Sequence, residues 1–70
     1  MIRKGSKVRW KWGSGEATGK VMETFTEKVI KTIKGSEITR IGEEGNKALM
    51  IVQEDGDKVL KLESEVTHIE

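Results

Sequence analysis

The sequence predicts an all-β fold, a small and strongly bent barrel of five to six short antiparallel strands. Three observations carry this. Val, Ile and Thr supply 6, 7 and 6 of the 70 residues, and β-branched side chains fit extended backbone better than helix. Eight glycines punctuate the chain, in the rhythm of short strands joined by turns. No stretch sustains the apolar i, i+3, i+4, i+7 pattern of a helix. An immunoglobulin-like sandwich takes about 100 residues, so a small barrel is the economical architecture.

Lys7–Trp12 alternates strictly and reads as the first strand. Val8, Trp10 and Trp12 share one face; Lys7, Arg9 and Lys11 share the other. Gly13-Ser14-Gly15 is a hairpin loop. A second strand runs from about Glu16 to Phe25, with Gly19 as a corner, bulge or close backbone approach. Val29–Ile33 and Glu37–Ile41 form a hairpin about Lys34-Gly35, followed by a polar loop at Gly42–Asn46. Ala48–Glu54 and Asp57–Leu62 flank Asp55-Gly56, a pair that favours a two-residue type I′ turn. That turn sets Ile51 opposite Leu60 and Leu49 opposite Leu62 on a core face. Met50, Val52 and Val59 then form an apolar outer patch. A last short strand is expected at Val66–Ile69.

One domain over residues 1–70 is expected. The 13 Lys+Arg and 12 Asp+Glu leave a net charge of +1, but the balance is lopsided. Residues 1–34 hold nine basic and three acidic side chains (+6), and residues 35–70 hold four and nine (−5). The chain has no cysteine, which excludes a disulfide staple, a thiolate metal site and a Cys nucleophile. No apolar run approaches the roughly 20 residues that span a bilayer. Met1–Gly5 leads into no apolar stretch, so no signal peptide, no membrane partner and a cytoplasmic location are expected.

Catalytic and metal constellations are not expected. Glu54, Asp55 and Asp57 do not match the spacing of an EF-hand loop, and turn chemistry accounts for Asp55-Gly56. His68 is the only histidine, with no Ser-His-Asp arrangement to join. Glu63 and Glu65 share a parity without a cleft around them. Gly13-Ser14-Gly15 lacks the length and the Lys-Ser/Thr ending of a phosphate loop. The reading is of a chain that is not an enzyme, without cofactor or metal.

Several segments resemble, in order, the Tudor-like domain of the hypervirulence-associated protein family. They are Trp10-Lys11-Trp12-Gly13-Ser14-Gly15, Ala17-Thr18-Gly19-Lys20-Val21, Thr32–Arg40 and Gln53-Glu54-Asp55-Gly56-Asp57. The likeness covers nearly the whole chain, and it implies an SH3-like barrel of the Tudor kind. Tudor-like barrels often hold methylated lysine or arginine in an aromatic cage. This chain offers only Trp10, Trp12 and Phe25, and has Lys47-Ala48-Leu49 where the family often has Pro-Ala-Tyr. A methyl-lysine reader is therefore not the expectation. Gly19-Lys20-Val21 is also similar, more faintly, to a short barrel motif of ribosomal and transcription proteins.

The expected function is a non-catalytic binding module for a protein segment. Trp12, Phe25, Arg40, Met50, Val52 and Val59 are its candidate residues. The alternative is nucleic-acid binding through Lys7, Arg9, Lys11 and Lys20. A third reading is a structural module that self-associates by pairing an exposed edge strand.

Overall fold

The computed structural model describes residues 2–69. It contains seven antiparallel strands and no α-helix among them. The strands are β1 (Lys7–Trp12), β2 (Gly15–Phe25), β3 (Lys28–Ile33), β4 (Ser36–Ile41), β5 (Ala48–Gln53), β6 (Lys58–Leu62) and β7 (Thr67–His68). A single 3₁₀ turn, Glu63–Glu65, separates β6 from β7. A five-stranded sheet has the order β6-β5-β2-β1-β7, and β3 and β4 form a separate ribbon. This is the small all-β barrel that the composition predicts, with one short strand more than expected.

Trp12 pairs with Gly15 across the first hairpin. Gly13 (φ +49) occupies the first central position of its loop, the position a type II′ turn gives to glycine. β2 is long enough to pair with β1 along its first half and with β5 along its second. It bends at a register shift between Val21 and Glu23, so Met22 and not Gly19 marks the corner. Gly19 serves close approach instead. A Cβ there would lie 2.7 Å from the Val52 carbonyl oxygen and would also strike the Ile51 side chain.

The β5–β6 hairpin departs from the expected register. Ile51 pairs with Val59, Met50 with Leu60 and Ala48 with Leu62. Gly56 has φ +91, whereas Asp55 does not adopt positive φ, and a type I′ turn needs it at both central residues. Gly56 N–H donates to the Gln53 carbonyl at 2.9 Å, and Gln53 N–H to the Asp57 carbonyl at 2.7 Å. The loop is therefore Glu54-Asp55-Gly56, a turn closed by a glycine bulge. Asp55 Oδ1 accepts the Asp57 N–H at 2.9 Å, the local bond that Asp offers a turn.

One extra loop residue moves every side chain of β6 to the other face. Two cores result. Ile2, Val8, Trp10, Val21, Leu49 and Ile51 fill the first, with Ala17, Val59 and Val66 packed against it. Val29, Ala48, Met50 and Leu60 fill the second, with Phe25, Ile33, Ile38 and Leu62 around it. Leu60 and Leu62 therefore lie in a different core from Ile51 and Leu49. The β3–β4 ribbon covers the second core with its inner residues Val29, Ile33 and Ile38. Its outer face carries Ile30 and Ile41, both exposed.

Candidate functional site

The expected outer patch of Met50, Val52 and Val59 does not form. Met50 is only 8% exposed, beneath the β3–β4 ribbon. Val59 turns toward the first core, and Val52 lies between Lys20 and Lys58 in the ladder. The cause is the slipped register together with the ribbon, which covers the face left open in a hairpin considered alone.

Trp12 is also not where alternation puts it. Trp10 is 5% exposed but Trp12 is 61% exposed. β1 ends at Trp12 in the hairpin tip, beyond the residues that would cover an inward ring. The indole lies over Gly15, whose missing side chain leaves room; a Cβ there would sit 3.6 Å from the ring. Phe25 is half-buried against the second core, and the Lys31 ammonium stands 5.5 Å above its ring. With Trp10 buried, Trp12 at one hairpin tip and Phe25 in the second core, no two rings share a pocket.

The structure instead opens a groove between the tip of the β3–β4 ribbon and β6. Its volume is about 300 Å³. Ile33, Ile38, Val59 and Leu60 supply its apolar surface. Lys34, Arg40, Lys58, Lys61 and Asp57 supply most of its polar rim. Arg40 and Val59, two of the residues singled out in the sequence, thus meet here; Trp12, Phe25, Met50 and Val52 do not line it.

Two ion pairs hold the groove's walls. Lys34 and Gly35 both have positive φ (51° and 78°) in the two-residue turn between β3 and β4. Positive φ is uncommon for a side chain such as lysine. The turn aims Lys34 across the groove, where its ammonium donates to Asp57 Oδ2 at 2.6 Å. That hydrogen bond and the Asp57 charge raise the Lys34 pKa. At the other end, Arg40 Nε donates to Glu65 Oε1 at 3.0 Å, and Arg40 also caps the Thr39 carbonyl at 2.9 Å.

Glu65 has a further task. Its Oε1 accepts the Leu62 N–H at 2.8 Å, which ties the 3₁₀ turn to the end of β6. Burial would raise its pKa, but the Leu62 amide and Arg40 together outweigh burial and hold it below 4.5. A depressed carboxyl contributes stability above its unfolded pKa and loses it as pH falls through the folded value. The wild-type midpoint of urea unfolding should therefore fall with pH below about 4.5 more steeply than that of Glu65→Gln. Equal pH slopes would contradict this role.

Glu63 Oε1 accepts the Lys47 N–H at 2.7 Å, so Glu63 and Glu65 each bind backbone amides rather than acting as a pair. Among the described residues no group of three or more His, Asp and Glu is placed to hold a metal ion. No described helix is long and apolar enough to cross a membrane.

The basic strip lies on the open half of the five-stranded sheet. Lys7 stands directly opposite Lys20, Arg9 opposite Thr18 and Lys11 opposite Glu16. Arg9 Nε is 3.8 Å from Glu16 Oε2, so the Lys11 end of the strip is partly neutralised. Lys58, in line with Lys20 through Val52, was not legible in the sequence as part of it.

The family model for the Tudor domain of hypervirulence-associated proteins matches residues 5–66. The chain belongs to that family. The match spans β1 to β6 and the groove, and the all-β architecture agrees with it. Domains of the Tudor type are in general non-catalytic binding modules. No curated protein and no solved structure matches this Tudor domain.

Proposed function

We propose that this Tudor domain binds a short, acidic protein segment in the groove between the β3–β4 ribbon and β6. The observation that supports this is the pairing of an apolar floor with an unbalanced rim. Ile33, Ile38, Val59 and Leu60 would take one apolar side chain of the segment. Of the rim cations, Lys34 is matched by Asp57 and Arg40 by Glu65. Lys58 and Lys61 form no salt bridge among the described residues, although the Lys61 charge also acts on Glu65, and they would meet acidic residues beside the anchor. Apolar burial supplies most of the affinity in such a site, and the charges favour partners of the right sign. No covalent step is involved.

A fluorescently tagged peptide with one leucine flanked by aspartates and glutamates tests this reading. Ile38→Ala should weaken its binding about tenfold, the effect of about 1.4 kcal/mol. Lys61→Glu should weaken it at low salt and less at high salt. A peptide that binds wild type and both variants equally would overturn the assignment, as would one that does not bind at all.

A further inference from the structure

We infer that the open edge of β3 pairs with the same edge of a second copy of this domain, giving a two-fold dimer with a continuous four-stranded sheet. Among the described residues β3 pairs only with β4. The backbone pattern shows which of its groups are left over. Ile33 and Ser36 flank the two-residue turn and face each other as a hydrogen-bonded pair. Bonded pairs recur every second residue, and at the far end the Glu27 carbonyl accepts the Gly42 N–H at 3.0 Å. Val29 and Lys31 therefore bond across to β4. Lys28, Ile30 and Thr32 direct their N–H and C=O groups away from it, and all three residues are exposed.

Two neighbouring edges are guarded by side chains, the usual protection against stray pairing. Thr39 of β4 faces Ile30, so its carbonyl also points outward, but the Arg40 guanidinium caps it at 2.9 Å. In β6 the Leu62 N–H donates to Glu65 Oε1 at 2.8 Å. Two copies of β6 side by side would also gather Lys58 and Lys61 of each. β7 has only two residues. No side chain caps β3 in this way.

A two-fold axis at Ile30 brings the open groups together. Ile30 then faces Ile30 of the second copy, and on either side of the axis Lys28 faces the second copy's Thr32. About six backbone hydrogen bonds result, two for each facing pair. The side chains suit the same register. Ile30 is 51% exposed in the single chain, and its own copy would cover one side of it. Lys31 faces Val29 of the second copy, so no lysine meets a lysine. Glu27 lies on the diagonal from the second copy's Lys31, within reach of a long side chain. An axis at Lys31 would set that lysine against itself, which destabilises a ladder. Ile38 and Arg40, which line the peptide groove from β4, take no part in the pairing.

Analytical sedimentation of the full chain from about 10 µM to about 1 mM tests the inference. The mass should rise from 7.9 kDa towards twice that value, with half the chains paired at or below about 1 mM. Ile30→Lys sets two lysines against each other at the axis and should stay a monomer throughout. It should melt as wild type does at low concentration, because Ile30 lies outside both cores. Ile41→Ser, on the same outer face but in β4, should associate as wild type does. The register has its own check, because the chain has no cysteine. Under oxidised glutathione Ile30→Cys should form a disulfide dimer, since facing Cα atoms about 5.5 Å apart lie within a disulfide's span. Thr39→Cys should not, because both copies of β3 separate it from its counterpart by about 14 Å. The inference is overturned if the mass stays at 7.9 kDa at every concentration, or if Ile30→Lys associates like wild type. A dimer lost in Ile41→Ser would mean contact between apolar faces and would overturn it too. So would a Thr39→Cys protein that crosslinks as readily as Ile30→Cys.

Discussion

Met50→Lys is expected to unfold the domain. Met50 is almost fully buried with Val29, Ala48 and Leu60. An ammonium placed there has no acidic partner in that core, and burying an unpaired ion costs several kcal/mol. Losing the methionine packing adds to this; Met→Ala in a core costs about 2–5 kcal/mol. Domains of this size have roughly 4–10 kcal/mol to lose, at about 0.05–0.15 kcal/mol per residue. Circular dichroism should therefore show little or no cooperative melting for Met50→Lys. Met50→Leu, which conserves volume, should lose less than about 1.5 kcal/mol. A Met50→Lys protein that melts like wild type would put Met50 back on an open face, and the β3–β4 ribbon elsewhere.

The two tryptophans should respond to substitution very differently. Trp10 packs with Val8, Val21, Leu49 and Ile51, so Trp10→Ala should cost about 3–5 kcal/mol. Trp12 is mostly exposed at the hairpin tip. Trp12→Ala loses only the contact over Gly15 and should cost less than about 1 kcal/mol, in the range of surface substitutions. Urea titrations of both variants check the difference. Iodide should also quench the emission of Trp10→Phe strongly and that of Trp12→Phe weakly. Similar losses of stability for the two alanine variants would mean that both rings point inward.

The contrast between these tryptophans marks what alternation could and could not reveal. Within β1 the period of two places Val8 and Trp10 in the core, as read from the sequence. It fails at Trp12 because alternation gives only the side of the strand, and the sheet's covering layer ends before that residue. The β3–β4 turn was legible for a similar local reason: Lys34-Gly35 sits between two β-rich runs. The β5–β6 turn differs from the expected one because Asp-Gly fits two loop types, and only the Asp55 dihedral separates them. That one residue moved Leu60 between cores. Assigning Met50 to the solvent side had a separate cause, a covering ribbon that arrives from elsewhere in the chain. The groove depends on three strands and the Lys34–Asp57 contact, 23 residues apart. The alignment of Lys20 with Lys58 depends on the pairing of β2, β5 and β6. Neither has a local signal, although Arg40, Val59, Lys7 and Lys20 were each visible as candidates.

An acidic protein segment held in the groove between the β3–β4 ribbon and β6 should leave a local signature on the backbone amides. The most direct measurement is a two-dimensional amide NMR titration of the ¹⁵N-labelled domain with the leucine-centred acidic peptide. Binding in the groove should shift Ile33, Ile38, Arg40, Val59, Leu60 and Lys61 and leave Lys7, Thr18 and Lys20 unmoved. Shifts confined to Lys7, Thr18 and Lys20, or to the Trp12 hairpin, would contradict it, as would a spectrum that does not change.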